Sequence, residues 1–486
     1  MNRERAEAHL RLLAEAELRE ATAASSRGDV NRRHAGRLAL VAPALFVVGA
    51  VDFETADEIQ AGLHLALALR PPGPAGRAHV AVSRDLGATR SASRPTSWRV
   101  VPAGQLIRIR DDEFCAELRL LAYAQTADGG RFTAAGWVEG SPQGARPGTH
   151  PHSRLPPVPV PRRFHFTAID DQGAIYRLGS SARPIGRHQW YGVLDLHPDP
   201  PLGIRWLDLC APGQPATRIN LDPEDPPGPA PRIAVTPTAA SPGELLLDVV
   251  AARLLALAAT FPQGTPEELA AARPEPIPHA PSWLGDLVTA LHAAEALPVA
   301  SPVPGQLAGL CRRLGVTDHG ITAPPADDLP EPWLSMLTRY HRRKPYAAFG
   351  PGARAATAVE LPKLDGARFA LLGLHGCTLA GDRPSTVLHM LASGVTPEDD
   401  WAYMRVIRPL PVLWIRDSGG RWHTVAANGY HQPKYSDEVT LTLTIVPPLE
   451  RGTAWIEVVA TGQAAEARVT VPLRWEPDLP GTARHG

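Results

Sequence analysis

The chain has 486 residues, 44% hydrophobic and 20% charged, which is ordinary globular composition with enough apolar sequence to bury several cores. Its formal net charge is -1, with acids and bases interspersed, so the global balance gives no reason to expect nucleic acid or an anionic membrane as a partner. Lys344, Lys363 and Lys434 are the only lysines among abundant arginine, alanine and proline, a GC-rich coding bias rather than arginine selected for phosphate.

Residues 1–26 are charged and helical in pattern and lack the apolar run of a secretory signal, so the expected location is the cytoplasm. The strongest apolar run, 38–51, is 14 residues long and holds Pro43, against the ~20 residues that span a bilayer, and reads as a buried helix. Over 3–22, Ala6, Leu10, Leu13, Ala14, Leu18 and Ala21 fall near one helical face. Thr55 with Glu58 forms a capping box before Ile59, Leu63 and Leu67. A helical module over 1–70 is therefore expected, closed by Pro71-Pro72-Gly73-Pro74.

From residue 79 the apolar period falls to two. Strands are expected over 105–110, 113–123 and 131–137, the last two joined by a hairpin at Asp128-Gly129-Gly130. A Pro-rich insertion at 141–163 interrupts them before strands resume over 164–170, 174–178, 192–196, 205–210 and 217–221. This predicts a first β-sandwich over 79–222. The Pro-rich stretch 222–242 reads as a linker.

A second helical module is expected over 243–345, with helices at 244–261, 283–297, 305–314 and 333–343. Ser241-Pro242 supplies the N-cap and first-turn proline of the first of them, and Ser282 the N-cap of the second. A second β-sandwich over 355–476 follows, with strands at 368–374, 386–391, 412–416, 421–426, 438–446, 454–460 and 467–474. In Val439-Thr440-Leu441-Thr442-Leu443-Thr444-Ile445 the alternation is strict, as one buried and one wet face require.

The halves echo each other. Ile169-Asp170-Asp171-Gln172-Gly173-Ala174-Ile175-Tyr176 returns about 246 residues later as Ile415-Arg416-Asp417-Ser418-Gly419-Gly420-Arg421-Trp422. Pro200-Pro201-Leu202 with Trp206 is answered by Pro447-Pro448-Leu449 with Trp455. This pattern implies a multidomain α+β chain with an internal duplication, in which two immunoglobulin-like or fibronectin-III-like antiparallel sandwiches each follow a helical module. Trp206 and Trp455 are expected at equivalent core positions between sheets, with Tyr176 and Trp422 matched at the far end of the Asp hairpin. Trp190 is expected in a loop.

The chemistry-bearing residues give no complete constellation. His375, Cys377 and His389, with Asp382 between, approach a metal set, because His-x-Cys on a strand shares one face and a hairpin brings His389 opposite. The third and fourth ligands are not set by spacing. His150-Pro151-His152 reads as a loop pair. Gly179-Ser180-Ser181 lacks the second glycine of a nucleophile elbow and reads as a turn, and Phe349-Gly350-Pro351-Gly352 reads as a hinge. Asp170-Asp171, Asp327-Asp328 and Asp399-Asp400 fit turn and cap chemistry, and the basic run Arg339 to Lys344 fits a helix C-terminus. Cys115, Cys210, Cys311 and Cys377 share no metal or redox spacing and are expected as free thiols, with a Cys115–Cys210 bridge the alternative. No catalytic, cofactor-binding or metal residue is assigned and no cofactor is expected. The expected function is a non-catalytic cytoplasmic interaction or scaffold protein with a protein partner. The alternatives are a hydrolase with a site between modules and a DNA-associated regulator using the 339–344 run.

Overall fold

A computed structural model describes residues 99–474 apart from connecting segments, the longest being 140–165, 260–283 and 394–411. The helical module expected over 1–70 and the insertion at 141–163 lie outside the described residues, as do His150, His152, Phe349–Gly352, Asp382, Asp399 and Asp400.

Two large antiparallel sheets, each a curled half-barrel, make up most of the fold. The first contains β1 (Arg99–Pro102), β2 (Leu106–Arg110), β3 (Cys115–Thr126), β4 (Gly129–Glu139), β5 (Thr167–Asp170), β6 (Ile175–Pro184), β7 (Gln189–His197), β8 (Trp206–Cys210) and β9 (Thr217–Asn220). Its order is β1-β3-β4-β7-β6-β5-β8-β9, with β2 also paired to β3. Next come β10 (Arg232–Pro237) and the helices α1 (Pro242–Ala259), α2 (Leu284–Ala293), α3 (Val303–Arg313) and α4 (Glu331–Arg342). The second sheet is completed by β11 (Arg354–Glu360), β12 (Arg368–Leu379), β13 (Arg383–Ser393), β14 (Val412–Asp417), β15 (Trp422–His431), β16 (Glu438–Val446), β17 (Trp455–Thr461) and β18 (Ala465–Pro472). Its order is β10-β18-β17-β14-β15-β16-β13-β12-β11.

Read from opposite ends, the run from β3 to β9 and the run from β12 to β18 have the same neighbours. A hairpin is followed by a three-strand meander, and the last two strands return beside the first strand of that meander. The β6–β7 and β15–β16 ladders keep each hydrogen-bonded path unbroken. A bulge falls at the same place in both leading hairpins, at Leu120/Ala122 against β4 and at Leu371/Gly373 against β13. Bulges bend a strand and increase its twist, which suits sheets that curl over their own cores.

Alternation decides what those cores contain. In β8, Leu207 and Leu209 point inward with Tyr123, Phe132, Tyr176 and Leu194, and in β17 Ile456 and Val458 do so with Phe369, Leu388 and Ile445. Trp206 and Trp455 do occupy matching places, one residue before Leu207, which pairs with Asp170, and Ile456, which pairs with Asp417. They are corrected in one respect: both are half-buried and on the outward side, because the period-two pattern gives the inward positions to their neighbours. Leu207→Ala is therefore expected to cost about 2 to 5 kcal/mol by urea denaturation. Trp206→Ala should cost about 1 kcal/mol, chiefly its contact with the Arg218 guanidinium 3.8 Å above the ring, and equal losses at the two sites would contradict this placement.

Three further expectations are corrected. Trp190 lies in β7, paired with Gly136, and not in a loop. Gly179-Ser180-Ser181 continues β6, because β7 offers it an unbroken antiparallel partner from Leu178 to Pro184. The stretch read as a linker contains β10, whose six residues add to the edge of the second sheet along β18.

The helices form a layer on the second sheet. Ser241 starts α1 as a capping box: its hydroxyl accepts the Glu244 N–H at 3.2 Å, and the Glu244 carboxylate accepts the Ser241 N–H at 2.9 Å. Buried Leu247, Val250, Leu254 and Trp333 then join Val412, Trp414, Trp422 and Val459 from the outer face of the sheet in one cluster. The two sheets touch through Ala122 and Ala124 of β3 and Ala370, Leu372 and Leu391 of the second sheet. Small side chains allow this approach, since a Cβ at Gly373 would stand 3.1 Å from the Leu121 Cβ and 3.0 Å from the Ala355 carbonyl.

Candidate functional site

Each sheet holds a buried aspartate at the turn that closes its central hairpin. The Asp170 carboxylate accepts the N–H groups of Gln172 at 2.9 Å and Ala174 at 2.8 Å and the Tyr176 hydroxyl at 2.6 Å. Asp417 accepts the N–H groups of Gly419 at 2.9 Å and Arg421 at 3.0 Å, and the Arg421 Nε at 2.8 Å. Gly173 and Gly420 supply the left-handed turn residue, at φ +83 and +75. Burial works to raise both carboxyls, but hydrogen bonds from Tyr176 and the backbone at Asp170, and from His423 and Arg421 at Asp417, hold both below the usual carboxylate range.

The match expected for Tyr176 shifts by one residue. His423 takes its place, with Nε2 3.4 Å from the Asp417 carboxylate and Nδ1 2.6 Å from the Pro447 carbonyl. Trp422 instead matches Ile175, since Ile169 pairs with Ile175 as Arg416 pairs with Trp422. Asp417 and His423 resemble two thirds of a hydrolytic triad, but both imidazole nitrogens face fixed oxygens. The nearby Ser418 hydroxyl accepts the Ala454 N–H at 2.9 Å, so this group locks a turn.

Between the helices and the second sheet, Asp248 of α1 accepts the Trp333 indole N–H at 2.6 Å and the Trp414 indole N–H at 3.0 Å. Burial raises its carboxyl to about 6 against the pull of the two donors. It ties a helix to a sheet through two indoles.

Of the suspected metal set, the structure brings two members together. His389 Nε2 lies 3.0 Å from His375 Nδ1 with the rings stacked at 17°, both nearly inaccessible, on the face of β12 and β13 away from the core. Cys377 is further along β12, paired with Ser385. Among the described residues no group of three or more His, Cys, Asp or Glu is placed to hold a metal ion. Burial lowers His389 to about 3, and it also holds His423 below its ordinary value.

These histidines predict an acid-labile fold. The unfolded chain protonates each near pH 6.5, whereas the folded chain keeps them neutral to lower pH. The unfolded state thus binds more protons below about pH 6.5, and stability present above that value falls as pH drops, by about 1.4 kcal/mol per group per pH unit. Asp248 acts oppositely, favouring the fold as pH drops from about 6 toward 4, but as one group against two. Urea denaturation between pH 7.5 and 4.5 should show the loss, and His389→Gln should flatten it; a level profile would contradict the neutral pair.

Two further acids singled out in the sequence are paired locally. Asp171 pairs with Arg205 at 3.1 Å, and Asp327 pairs with Arg312 and Arg313. At the start of the basic run, Arg339 donates to the Trp422 carbonyl at 2.9 Å, which fixes α4 to the sheet. Cys210 and Cys311 are free thiols, so the alternative bridge from Cys115 to Cys210 is not made. Burial pushes the Cys311 thiol up to about 12.

What differs between the halves is the outer face. In the second sheet Trp414, paired with Val459, and Trp422 lie beneath the helical layer. The matching positions of the first sheet are Thr167, paired with Cys210, and Ile175, and all three reach solvent, Ile175 at 64% exposure. Around them stand half-buried Ile169 and Trp206, with Arg218 stacked on the indole and held by Asp208 at 2.7 and 2.8 Å. An indole and a stacked guanidinium are residue types in which binding energy concentrates at protein interfaces, and Ile175 adds exposed apolar area beside them. Sequence reasoning missed this face because it placed Trp206 in the core. The composition of β8, where charged Asp208 shares a face with Trp206, was the available signal.

A smaller concavity of about 400 Å³ opens beside α2, lined by Val288, Thr289, His292, Ala293, Thr322 and Ala323. No helix among the described residues is long and apolar enough to cross a membrane. No known protein family and no curated protein matches the chain. One solved structure, described as the crystal structure of the conserved domain protein from Bacillus anthracis, aligns over 77% of this chain and 79% of that one at 6% identity, with a TM-score of 0.16.

Proposed function

We propose that this chain is a non-catalytic cytoplasmic interaction or scaffold protein, built from two copies of one immunoglobulin-like or fibronectin-III-like β unit, whose first copy presents its outer sheet face to a protein partner. The duplication is supported by the shared strand order, the matched bulges and the matched aspartate turns. The fold type is supported by β3-β4-β7 and β5-β8-β9, which repeat the A-B-E and C-F-G neighbours of that architecture with β6 bridging them. The observation that carries the functional reading is the contrast between faces: one half roofs Trp414, Trp422 and Val459 with helices, and the other leaves the matching Thr167, Ile175 and Cys210 accessible, with half-buried Trp206 and the exposed Arg218 beside them. The test is affinity isolation from the native lysate with wild type and with Ile175→Asp combined with Trp206→Ser. A stoichiometric protein partner retained by the wild type and lost by the variant, with the melting temperature lowered by no more than the few degrees that a loss of about 1 kcal/mol at Trp206 accounts for, is the expected result. Equal retention by both would place binding elsewhere.

A further inference from the structure

We propose that the chain self-associates through β10, which pairs antiparallel with β10 of a second copy about an axis at Ala234. All six residues of β10 are exposed, including Ile233 at 51% and Val235 at 53%, and among the described strands it pairs only with β18. The Thr238 N–H donates to the Ala464 carbonyl at 3.0 Å, so the even-numbered residues of β10 bond toward β18. Alternation then points the N–H and C=O groups of Ile233 and Val235 outward. Unpaired edge groups of this kind template pairing with another chain.

The edge is self-complementary. In a register centred on Ala234, Ile233 of one copy faces Val235 of the other and the two exchange both backbone hydrogen bonds, so every outward donor and acceptor of these residues is used. The next facing position places Pro237 against Pro231, where neither residue has an N–H to leave unsatisfied. Ile233 and Val235 are the cross-strand neighbours of buried Val469 and Ala467, so their mutual pairing extends the apolar row of the second core. On the opposite face the register sets Arg232 of one copy across from Thr236 of the other, and Thr236 itself pairs with Glu466. Each Arg232 thus approaches the Glu466 of the other copy, whose carboxylate also holds its own Arg468 at 2.8 Å, an approach that a register shifted by two residues lacks.

A ladder this short makes a weak dimer, so the test is sedimentation velocity of the full chain up to ~100 µM. The mass is expected to rise with concentration from 52.0 kDa toward twice that value. Val235→Pro removes one outward donor per copy without touching the bonds to β18 and should hold the chain at 52.0 kDa throughout. Facing residues of a non-hydrogen-bonded pair lie about 4.5 Å apart at Cα, within disulfide reach, so Ala234→Cys should cross-link to itself under mild oxidation while Thr236→Cys should not. A wild-type chain monomeric throughout, a dimer untouched by Val235→Pro, or equal cross-linking at 234 and 236 would each overturn the proposal.

Discussion

Asp417→Ala is expected to destabilise the second sheet by about 3 to 5 kcal/mol, measured by urea denaturation at pH 7.5. The carboxylate is fully buried and accepts two backbone N–H groups and the Arg421 side chain while facing His423. Its removal leaves the two N–H groups without their acceptor, Arg421 with Glu450 as its remaining partner, and a cavity where the turn was pinned. Asp417→Asn keeps the shape and one carbonyl oxygen but turns an amide donor toward Arg421 or the backbone, so its cost should lie between wild type and alanine. At the matching site, Asp170→Ala strands the Tyr176 hydroxyl and two N–H groups but no guanidinium, and about 2 to 3 kcal/mol is expected. Losses below about 1 kcal/mol at both positions would show that the turns do not depend on their aspartates.

The second large effect is expected at Trp333, one of the largest fully buried side chains, through which α4 meets α1 and the outer face of the second sheet. Trp333→Ala should cost about 3 to 5 kcal/mol from the cavity alone, with helical circular dichroism lost at lower temperature than in wild type. Trp333→Phe separates packing from hydrogen bonding. It retains most of the volume but leaves Asp248 with the Trp414 indole as its one side-chain donor, so a smaller cost of about 1 to 3 kcal/mol is expected. The Asp248 carboxyl should then rise further, because a donor to its ionised form has gone. Equal losses for both variants would mean that the hydrogen bond, not the packed indole, holds the layer.

Much of the strand content was legible because one face of each strand is buried. The period-two runs at 105–110, 205–210 and 438–446 correspond to β2, β8 and β16, and the Asp hairpins lie where the repeated motif predicted. The four helices of the second half lie close to the stretches expected for them, and α1 is entered through Ser241-Pro242 as its sequence indicated. What escaped was edge and face. β10 has no inward position sealed from solvent, so its sequence carries proline and no strong burial signal and reads as linker. Trp206 was misplaced because a large aromatic in a strand is read as core unless its partners are known, and those partners, Arg218 and Asp208, lie on the neighbouring strand and on its own exposed face. The His375–His389 contact was foreseen as a hairpin juxtaposition, yet strand register alone could not give its 3.0 Å distance.

The contrast between a roofed and an open sheet face is tested most directly by native-state thiol labelling at two register-equivalent positions, Cys210 and a Val459→Cys substitution, with sites located by peptide mapping. Cys210 pairs with Thr167 and reaches solvent, whereas Val459 pairs with Trp414 beneath the helices. Labelling of Cys210 within minutes, with the thiol introduced by Val459→Cys protected until the protein unfolds, is the predicted result. Comparable labelling at both positions, or protection of Cys210, would contradict an open first face and remove the surface on which the proposed interaction depends.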